Sequence, residues 1–346
     1  MKRHLNTLYV TKDDAWIRKD GTNIVVSTDG KESARVPVHL IGGIVCIGNA
    51  SVSSPLMGFC AENGVTITHL NHNGRFLARV EGPVSGNVLL RREQYRRADN
   101  TALSSALVRP IVIAKTINQR TVLRRAMRDH QDTTEARALD QMRAAETRLS
   151  DIARRCLKDQ SIDELRGLEG EAARTYFSVF DHLIVQQKEH FRFSGRSRRP
   201  PLDAVNALMS FLYTLLTHDY RSACEAFGLD PAVGFLHRDR PGRPSLALDL
   251  MEEMRPLFAD RLLLSLINRR QISSSGYRVL ENGAVLLTEE ARKAVLVAYQ
   301  ERKKSELLHP FLDEPTTVGL LPFLQAQLLA RHLRGDLDAY PPFVAK

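Results

Sequence analysis

The stretch Trp16–Val26, WIRKDGTNIVV, places two runs of β-forming residues around a tight-turn signal. Trp16-Ile17 and Ile24-Val25-Val26 flank Asp20-Gly21, and this pair favours a two-residue hairpin turn because both of its residues tolerate positive φ. The same turn chemistry recurs at Asp29-Gly30, Asn63-Gly64 and Asn73-Gly74. Turns this frequent predict a compact β unit, sandwich-like or barrel-like, over roughly the first 80 residues.

The composition changes beyond this unit. Gly82-Pro83 and Gly86 indicate a linker at about 82–88, and from Val88 onward the helix formers Arg, Leu, Ala and Glu dominate. One exception is Tyr277–Leu287, where Asn282-Gly283 predicts a hairpin between helices. We therefore expect an α+β protein, with a small N-terminal β-sandwich-like domain over residues 1–84 and a larger all-α C-terminal domain over 88–346.

The charge balance and the cysteines limit the class of protein. The 346 residues include 49 Lys plus Arg against 40 Asp plus Glu, a net charge of +9, which favours polyanionic partners. The four cysteines show no C-x-x-C spacing, so a zinc ribbon is not expected, and free thiols suit a reducing compartment. With neither an apolar leader nor a run of about 20 apolar residues, the sequence predicts a cytoplasmic protein without a membrane span.

A first candidate for chemistry lies on a helix that the capping box Ser161-x-x-Glu164 is expected to start. Glu169 shares one face of this helix with Ala173 and Tyr176. Gly167 and Gly170 each cost the helix up to about 1 kcal/mol relative to Ala, so they suggest close approach by another backbone or a ligand. The alternative is that Glu169 is an ordinary surface glutamate.

A second group of acids lies on a helix predicted to begin near Ser245. Asp249 and Glu252 are three residues apart and can meet, and they repel each other unless a cation lies between them. Glu253 is also within reach of Asp249, so helical geometry does not choose between the two glutamates. His237 ends the preceding loop. The alternative is a solvated acidic edge paired with Arg255, together with a structural histidine.

Two or three carboxylates and one imidazole suit a divalent ion such as Mg²⁺ or Mn²⁺, which can neutralise a phosphodiester and activate an attacking oxygen. A loop rich in arginine and aromatic residues is the predicted contact for DNA phosphates. Its four arginines are Arg192, Arg196, Arg198 and Arg199. The alternative for this loop is a solvated segment whose arginines pair with helix acids.

Four ordered motifs resemble the CRISPR-associated endonuclease and integrase family of spacer acquisition, CRISPR-associated protein 1. The motifs are G-x-E-G-x-A-A-R-x-Y-F at 167–177, R-R-P-P-x-D-x-V-N-A-L-x-S-F-x-Y at 198–213 with Asn206 as the hallmark, G-L-D-P-x-x-G-F-L-H at 228–237 and S-L-x-x-D-L-M-E-x-x-R-P at 245–256. With a β N-terminal part and a helical C-terminal part, the resemblance covers nearly the whole chain.

The resemblance implies roles for particular residues. Glu169, His237 and Glu252 would bind the metal ion, and Asp249 would be an accessory carboxylate near it. Many relatives have Asp where this chain has Glu252, and the longer side chain requires a backbone shift or a different carboxylate geometry. The implied reaction is transesterification, in which a DNA 3′-hydroxyl attacks a phosphodiester of the CRISPR repeat.

The resemblance also implies partners. It predicts a homodimer organised through the β domain, double-stranded DNA as substrate, and a complex with the small ferredoxin-like CRISPR-associated protein 2. The ending Leu329–Asp336 with Tyr340–Phe343 is similar to the type I-C branch, in which a Cas4-type nuclease is a further partner. Two other functions stay open at this point: a general metal-dependent nuclease of branched DNA or RNA, and a non-catalytic DNA-binding scaffold.

Overall fold

The computed structural model describes residues 6–71, 76–80, 82, 88–131, 134–198 and 200–345. The chain divides into two compact units. The first comprises the described residues of Met1–Gly86 with Glu289–Glu306 and Thr317–Leu320, and the second comprises the described residues of Asn87–Thr288, Leu307–Thr316 and Leu321–Lys346. Strands concentrated before residue 81 and helices that predominate after residue 87 confirm the α+β class. A division into independent domains at 1–84 and 88–346 stays a prediction.

Eight strands and one helix build the part of the first unit that precedes residue 81. They are β1 (Thr7–Val10), β2 (Trp16–Asp20), β3 (Asn23–Thr28), β4 (Lys31–Pro37), β5 (Gly43–Ile47), β6 (Ser51–Val52), α1 (Ser54–Glu62), β7 (Thr66–Leu70) and β8 (Phe76–Val80). They form two four-stranded sheets, ordered β4-β3-β2-β6 and β1-β5-β7-β8. The hairpin predicted around Asp20-Gly21 is confirmed, because β2 and β3 pair antiparallel and Gly21 has a φ of +58°.

The second sheet is mixed, which the turn pattern did not predict. β1, β5 and β7 run parallel, and only β7 and β8 pair antiparallel. Parallel neighbours require a crossover connection, and α1 lies in the crossover between β5 and β7. Asn63 and Gly64 therefore end a helix, with Gly64 at a φ of +65°, and do not join two strands of a hairpin. The predicted Asn73-Gly74 turn and most of the predicted linker lie outside the described residues.

The first unit has its own hydrophobic core. Apolar side chains that face inward from both sheets and from α1 are fully buried, among them Ile17, Ile24, Ile44, Leu56 and Ile67. The strands β3, β5 and β7 are buried at consecutive residues, so each of them is covered on both faces, since successive side chains of a strand point to opposite faces.

The rest of the chain is mainly helical. Its helices are α2 (Val88–Asp99), α3 (Thr101–Asp129), α4 (Ala136–Arg155), α5 (Ile162–Ser178), α6 (Ala204–Ala226), α7 (Ser245–Met251), α8 (Arg261–Asn268), α9 (Glu289–Lys303) and α10 (Leu321–Arg334), of which α9 belongs to the first unit. The capping box is confirmed, because the Ser161 hydroxyl accepts from the main-chain N–H of Glu164 and the Glu164 carboxylate accepts from that of Ser161. No helix among the described residues is long and apolar enough to cross a membrane.

Two hairpins interrupt the helices. The predicted one is confirmed as β9 (Tyr277–Val279) paired antiparallel with β10 (Val285–Leu287). A second, β11 (Glu306–His309) with β12 (Glu314–Thr317), corrects the expectation that the remainder of this region is all-helical. Its turn lacks the Asn-Gly or Asp-Gly pair that marks the others, and the buried ring of His309 closes it by accepting from the main-chain N–H groups of Phe311 and Leu312.

Helix ends differ from the prediction by up to two turns. From the sequence we expect the helix that begins near Ser161 to run past Phe180 and a second helix to span about Leu202–His218. Instead, α5 ends at Ser178 and a short 3-10 turn follows, and α6 continues eight residues beyond His218, to Ala226. α7 ends at Met251, and Pro256 lies in a π-helical turn over Arg255–Asp260. Such turns widen a helix locally and often occur at functional sites.

Candidate functional site

Three helices of the second unit bring a lysine and two glutamates together. Lys115 of α3 contacts Glu169 of α5 through its ammonium group, and the same Nζ lies 2.7 Å from Oε2 of Glu252, the residue that follows α7. Lys115 and Glu252 are almost completely buried, and about a quarter of the Glu169 side chain is exposed. Two carboxylates distant in sequence therefore share one cation, with one side of the cluster open to solvent.

Glu252 lies between two basic groups. Its Oε1 is 2.6 Å from Nη1 of Arg255, one turn further along, and its Oε2 faces Lys115. Burial alone would raise the pKa of Glu252, but attraction by Arg255, Lys115 and His237 outweighs burial and lowers this pKa below its ordinary value. Burial likewise opposes the charge of Lys115, yet Glu252 and Glu169 hold the pKa of Lys115 above its ordinary value. The carboxylate of Glu252 is therefore ionised at neutral pH.

His237 is oriented by Asp249. The imidazole Nδ1 lies 2.6 Å from Oδ1 of Asp249, which is completely buried on α7. Asp249 also accepts from three main-chain N–H groups of the loop, those of Phe235 and Leu236 at Oδ2 (2.6 and 2.9 Å) and that of His237 at Oδ1 (3.0 Å). An ionised carboxylate holds about four acceptor positions, and all four are used here. The proton of the neutral ring is thereby held on Nδ1, which leaves Nε2 with a free lone pair.

Gly234 permits the close approach of this loop to α7. A Cβ at this position would lie 2.7 Å from Oδ2 of Asp249 and 2.8 Å from the main-chain carbon of Ser245. No real Cβ tolerates these distances without movement of the backbone. A second contact holds the loop against α5, because Arg166 Nε donates to the carbonyl of Leu236 at 2.7 Å. His237 is thus placed by α7 from one side and by α5 from the other.

Glu253 is distinguished from Glu252 by its partners. Its Oε1 accepts from the hydroxyl of Tyr340 at 2.7 Å, and its Oε2 accepts from Nε2 of Gln325 and from the main-chain N–H of Phe343. Burial raises the pKa of Glu253 to about 7, although these three hydrogen bonds lower it. The side chain of Glu253 therefore fastens the segment 340–343 to the core, whereas Glu252 turns toward Lys115.

The basic loop has one anchored arginine among exposed ones. Arg196 Nη1 donates to Oδ1 of Asn206 at 2.6 Å, and its guanidinium lies over the ring of Tyr213. Asn206 is completely buried and holds the loop further by accepting from the main-chain N–H of Ser197 and donating to the carbonyl of Gly195.

The other predicted phosphate contacts differ from Arg196. Arg192 and Arg198 are exposed, and Arg199 lies outside the described residues. Arg192 Nε donates only to the nearby carbonyl of Lys188, at 3.3 Å. The loop therefore offers the guanidinium groups of Arg192 and Arg198 to solvent, whereas that of Arg196 is used to hold the loop.

Two features of α5 lie near Glu169. Glu171, two residues beyond Glu169, pairs with Arg148 and Arg155. The close approach expected at the helix glycines is absent among the described residues: a Cβ at Gly167 would meet nothing within 4 Å, and one at Gly170 would meet only the flexible side chain of Arg174, at 3.6 Å. Neither glycine is required by protein packing.

Lys115 is the residue that sequence reasoning missed. It interrupts the apolar run Ile111-Val112-Ile113-Ala114 on α3, and a lysine inside such a run is a signal of a buried, paired charge. Within the described ranges no three His, Cys, Asp or Glu side chains already surround one point as metal ligands. Lys115 instead occupies the position between Glu169 and Glu252.

The donor set nonetheless fits a divalent ion. Two carboxylates converge on a cation, and Asp249, three residues before Glu252, holds the imidazole of His237. Carboxylate oxygen suits hard ions such as Mg²⁺, and imidazole nitrogen extends the range to Mn²⁺. A buried carboxylate behind the imidazole is the usual support of a metal-binding histidine. The residues that would hold a metal are Glu169, Glu252 and His237, with Asp249 behind the ring.

Comparison with known proteins covers the entire chain. The profile of the family described as CRISPR associated protein Cas1 matches residues 8–301. The sequence is 58% identical to CRISPR-associated endonuclease Cas1 2 of Rhodospirillum rubrum, over 100% of both chains, and 52% identical to CRISPR-associated endonuclease Cas1 1 of Chlorobaculum tepidum, over 99% of both. It is also 35% identical to a Cas4 exonuclease/Cas1 endonuclease fusion of Geobacter sulfurreducens, over 98% of this chain and 60% of the fusion.

Solved structures share the fold. A Cas1 protein from Thermotoga maritima superposes with a TM-score of 0.81 at 22% identity, covering 99% of both chains. A chain of the Cas6-RT-Cas1–Cas2 complex gives 0.82 at 23% identity, covering 99% of this chain and 36% of that one. A casposase bound to its integration product superposes with a TM-score of 0.80 at 22% identity, covering 97% of this chain and 93% of the casposase chain. At these identities the structural likeness concerns the fold.

Proposed function

The chain belongs to the Cas1 family of CRISPR-associated endonucleases, and on that premise we propose that Glu169, His237 and Glu252 form the metal site of its DNA-cleaving and DNA-joining reaction. The observation that carries the proposal is the sharing of one ammonium by Glu169 and Glu252. The chain is an endonuclease that acts in CRISPR adaptation, where it integrates spacers.

A bound Mg²⁺ or Mn²⁺ would neutralise charge on the phosphodiester and lower the pKa of the attacking hydroxyl. The protein supplies the geometry. Asp249 keeps the proton on Nδ1 of His237, so that the lone pair of Nε2 would be available to hold the ion. Arg255 forms an ion pair with one oxygen of Glu252 and so fixes the direction of its carboxylate. This ion pair would set the carboxylate geometry that the side chain of Glu252, one methylene longer than Asp, requires. Asp249 acts in this proposal as a positioning residue.

No side chain of the cluster is a nucleophile in this reaction. A DNA 3′-hydroxyl attacks the repeat phosphodiester, a new phosphodiester forms, and the leaving 3′-oxygen takes up the proton. Cleavage uses the same site with water as the attacking group. The open side of the cluster, at the partly exposed Glu169, is where the phosphate would enter.

The DNA path is proposed along the basic loop. Arg192 and Arg198 are exposed and would contact backbone phosphates, whereas Arg196 is bound to Asn206 and Tyr213 and would hold the loop in shape. Replacing Arg192 and Arg198 together with Ala should weaken DNA binding and reduce the slope of log K against log salt by roughly 2. Arg35→Ala, an exposed arginine of the first unit, is the matched control and should leave the slope unchanged.

The proposed assembly follows the relatives. The Cas6-RT-Cas1–Cas2 complex and the Cas4–Cas1 fusion support a complex with CRISPR-associated protein 2 and with a Cas4-type nuclease. We also propose a homodimer through the β unit and a cytoplasmic location, which suits four free cysteines. The type I-C branch rests on the similarity of Leu329–Asp336 and Tyr340–Phe343 to that group.

Paired variants test the metal site sharply, because each of the two proposed glutamate ligands has a neighbouring glutamate with a different role. Glu169→Gln and Glu252→Gln should abolish Mn²⁺-dependent cleavage and integration into a repeat-containing plasmid. Glu171→Gln and Glu253→Gln should retain both, since these side chains pair with arginines and with the segment 340–343. Full activity of Glu169→Gln, or activity in EDTA, would refute the assignment. Plain degradation without integration would favour a general nuclease.

A further inference from the structure

Lys115 is a cation built into the site by the chain itself. It is buried, it projects from the middle of α3, and its ammonium lies between the carboxylates of Glu169 and Glu252. The neighbouring residues of α3, Ala114 and Thr116, are also buried, so α3 fixes the main chain from which the lysine stem projects. The ammonium lies at the end of a flexible four-carbon stem, so it can move while the helix stays in place.

The charges of the two shared carboxylates are matched by the basic groups that contact them. The carboxylates of Glu169 and Glu252 carry two negative charges, and Lys115 and Arg255 carry two positive ones. Two cations close to the same carboxylate repel each other, and this repulsion is stronger in a buried site than in water because the effective dielectric is lower. A divalent ion that binds between Glu169 and Glu252 therefore meets a competing charge at the same oxygens.

We propose that Lys115 is an exchangeable counter-ion: it holds Glu169 and Glu252 in place by bridging them, and a divalent ion binds only by displacing its ammonium from between them. The inference rests on the proposed metal site and adds a residue that regulates it. Lys115 makes metal binding weaker, and in exchange it keeps two mutually repelling carboxylates in a single arrangement. Arg255 stays on the other oxygen of Glu252, so the exchange concerns Lys115 alone.

The alternative role for Lys115 is purely structural, as a partner that buried carboxylates require. The two roles predict opposite changes in metal affinity. If Lys115 only supports the carboxylates, its removal disorders them and weakens metal binding. If it competes with the ion, its removal strengthens metal binding while the protein without added metal becomes less stable, because Glu169 and Glu252 then face each other without a cation.

The experiment is a titration of the full-length protein with Mn²⁺ by isothermal calorimetry, together with thermal melting with and without Mn²⁺. Lys115→Met should bind Mn²⁺ at least about tenfold more tightly than the unsubstituted protein, or about 1.4 kcal/mol at 25 °C. It should also melt at a lower temperature without metal and recover with saturating Mn²⁺, as expected of a ligand that binds only the folded state.

Two controls make the result specific. Lys115→Arg keeps a cation between the carboxylates and should bind Mn²⁺ with nearly unchanged affinity. Arg120→Met removes a positive charge from the same helix at a position paired with Glu146, and it should also leave the affinity unchanged. If Lys115→Met proves too unstable alone, the comparison is made with Lys115→Gln, which keeps a polar group between the carboxylates.

The outcomes separate this inference from the proposed function. Unchanged or weaker Mn²⁺ binding by Lys115→Met, with binding still lost in Glu169→Gln and His237→Ala, overturns the counter-ion role and leaves the metal site standing. Mn²⁺ binding that is insensitive to Glu169→Gln and His237→Ala overturns both. Tighter binding by Lys115→Met that is reversed by adding Glu169→Gln supports both.

Discussion

Replacing Asp249 with Asn should weaken metal binding through the tautomer of His237. An amide offers one acceptor oxygen in place of two. If that oxygen keeps the main-chain N–H groups of Phe235 and Leu236, the amide nitrogen faces the main-chain N–H and the ring of His237, where it can only donate. The ring must then accept at Nδ1 and carry its proton on Nε2, so the nitrogen proposed to bind the ion has no free lone pair.

The contacts of Asp249 set the size of the effect. Loss of a carboxylate behind a metal-binding histidine typically costs about 10–100-fold in metal affinity, or about 1.4–2.8 kcal/mol. The hydrogen bond from the main-chain N–H of His237 to a buried charged group is lost, at about 1.5–3 kcal/mol, and the ring hydrogen bond is re-formed with a neutral partner, at a further cost of up to about 1 kcal/mol. We therefore expect the free energy of unfolding of Asp249→Asn to be about 2–4 kcal/mol lower than that of the unsubstituted protein. We also expect this variant to bind Mn²⁺ at least tenfold more weakly.

Calorimetric titration with Mn²⁺ and urea unfolding followed by circular dichroism measure the two effects separately. The matched control is Asp230→Asn, an aspartate of the same loop that accepts from Tyr95 and from the main-chain N–H of Ala232, away from His237. It should leave Mn²⁺ affinity unchanged. A folded Asp249→Asn protein with the Mn²⁺ affinity and DNA cleavage of the unsubstituted chain would refute the reasoning.

Three further predictions concern other contacts of the second unit. Gly234→Ala should weaken Mn²⁺ binding about tenfold although it replaces no ionisable residue, because its Cβ would displace the carboxylate of Asp249. A calorimetric affinity for Mn²⁺ equal to that of the unsubstituted protein would contradict this. Burial raises the pKa of Asp260 to about 6, so the folded chain holds a proton between pH 4 and 6 that the unfolded chain releases, and stability falls as pH rises through that window. The free energy of unfolding of Asp260→Asn, measured in urea, should therefore equal that of the unsubstituted protein near pH 4 and exceed it by up to about 3 kcal/mol above pH 6.5. Parallel pH profiles of the two proteins would contradict the raised pKa of Asp260. Asn206→Ala should lower the unfolding free energy by about 2–4 kcal/mol and speed proteolysis near Arg196, and unchanged proteolysis would show that the loop has other anchors.

Local signals predicted the parts of the fold that local interactions determine. The hairpins at Asp20-Gly21 and Asn282-Gly283 and the capping box at Ser161 depend on residues two or three apart, and all three are confirmed. The hairpin β11–β12 was missed because its turn lacks an Asn-Gly or Asp-Gly pair. The helix α1 was missed because the Asn63-Gly64 pair that ends it is also the chemistry of a hairpin turn. The parallel pairing of β1, β5 and β7 joins distant segments, which a local pattern does not contain.

The candidate site shows the same division. The sequence provided the residue types and, through the four motifs, the identity of Glu169, His237 and Glu252 as candidates. It did not separate Glu252 from Glu253 by geometry, because the difference lies in contacts about 90 residues away, at Tyr340 and Phe343. Lys115 lies 54 residues before its partner Glu169, and no helical or strand periodicity links two such positions. The assignment of Glu169, His237 and Glu252 as metal ligands stays a prediction, which the Mn²⁺ titrations test.

The interior around α3 contains contacts between residues that a ribosome adds many seconds apart. Asn118, three residues beyond Lys115, donates to the carbonyls of Glu253 and of Phe343, the second of which lies 225 residues later. At about 5–20 residues per second this interval is roughly 10–45 s. Until Phe343 has been made, Asn118 and Glu253 lack partners that their burial demands. The interior around α3 is therefore completed only after the segment 340–343 has been made.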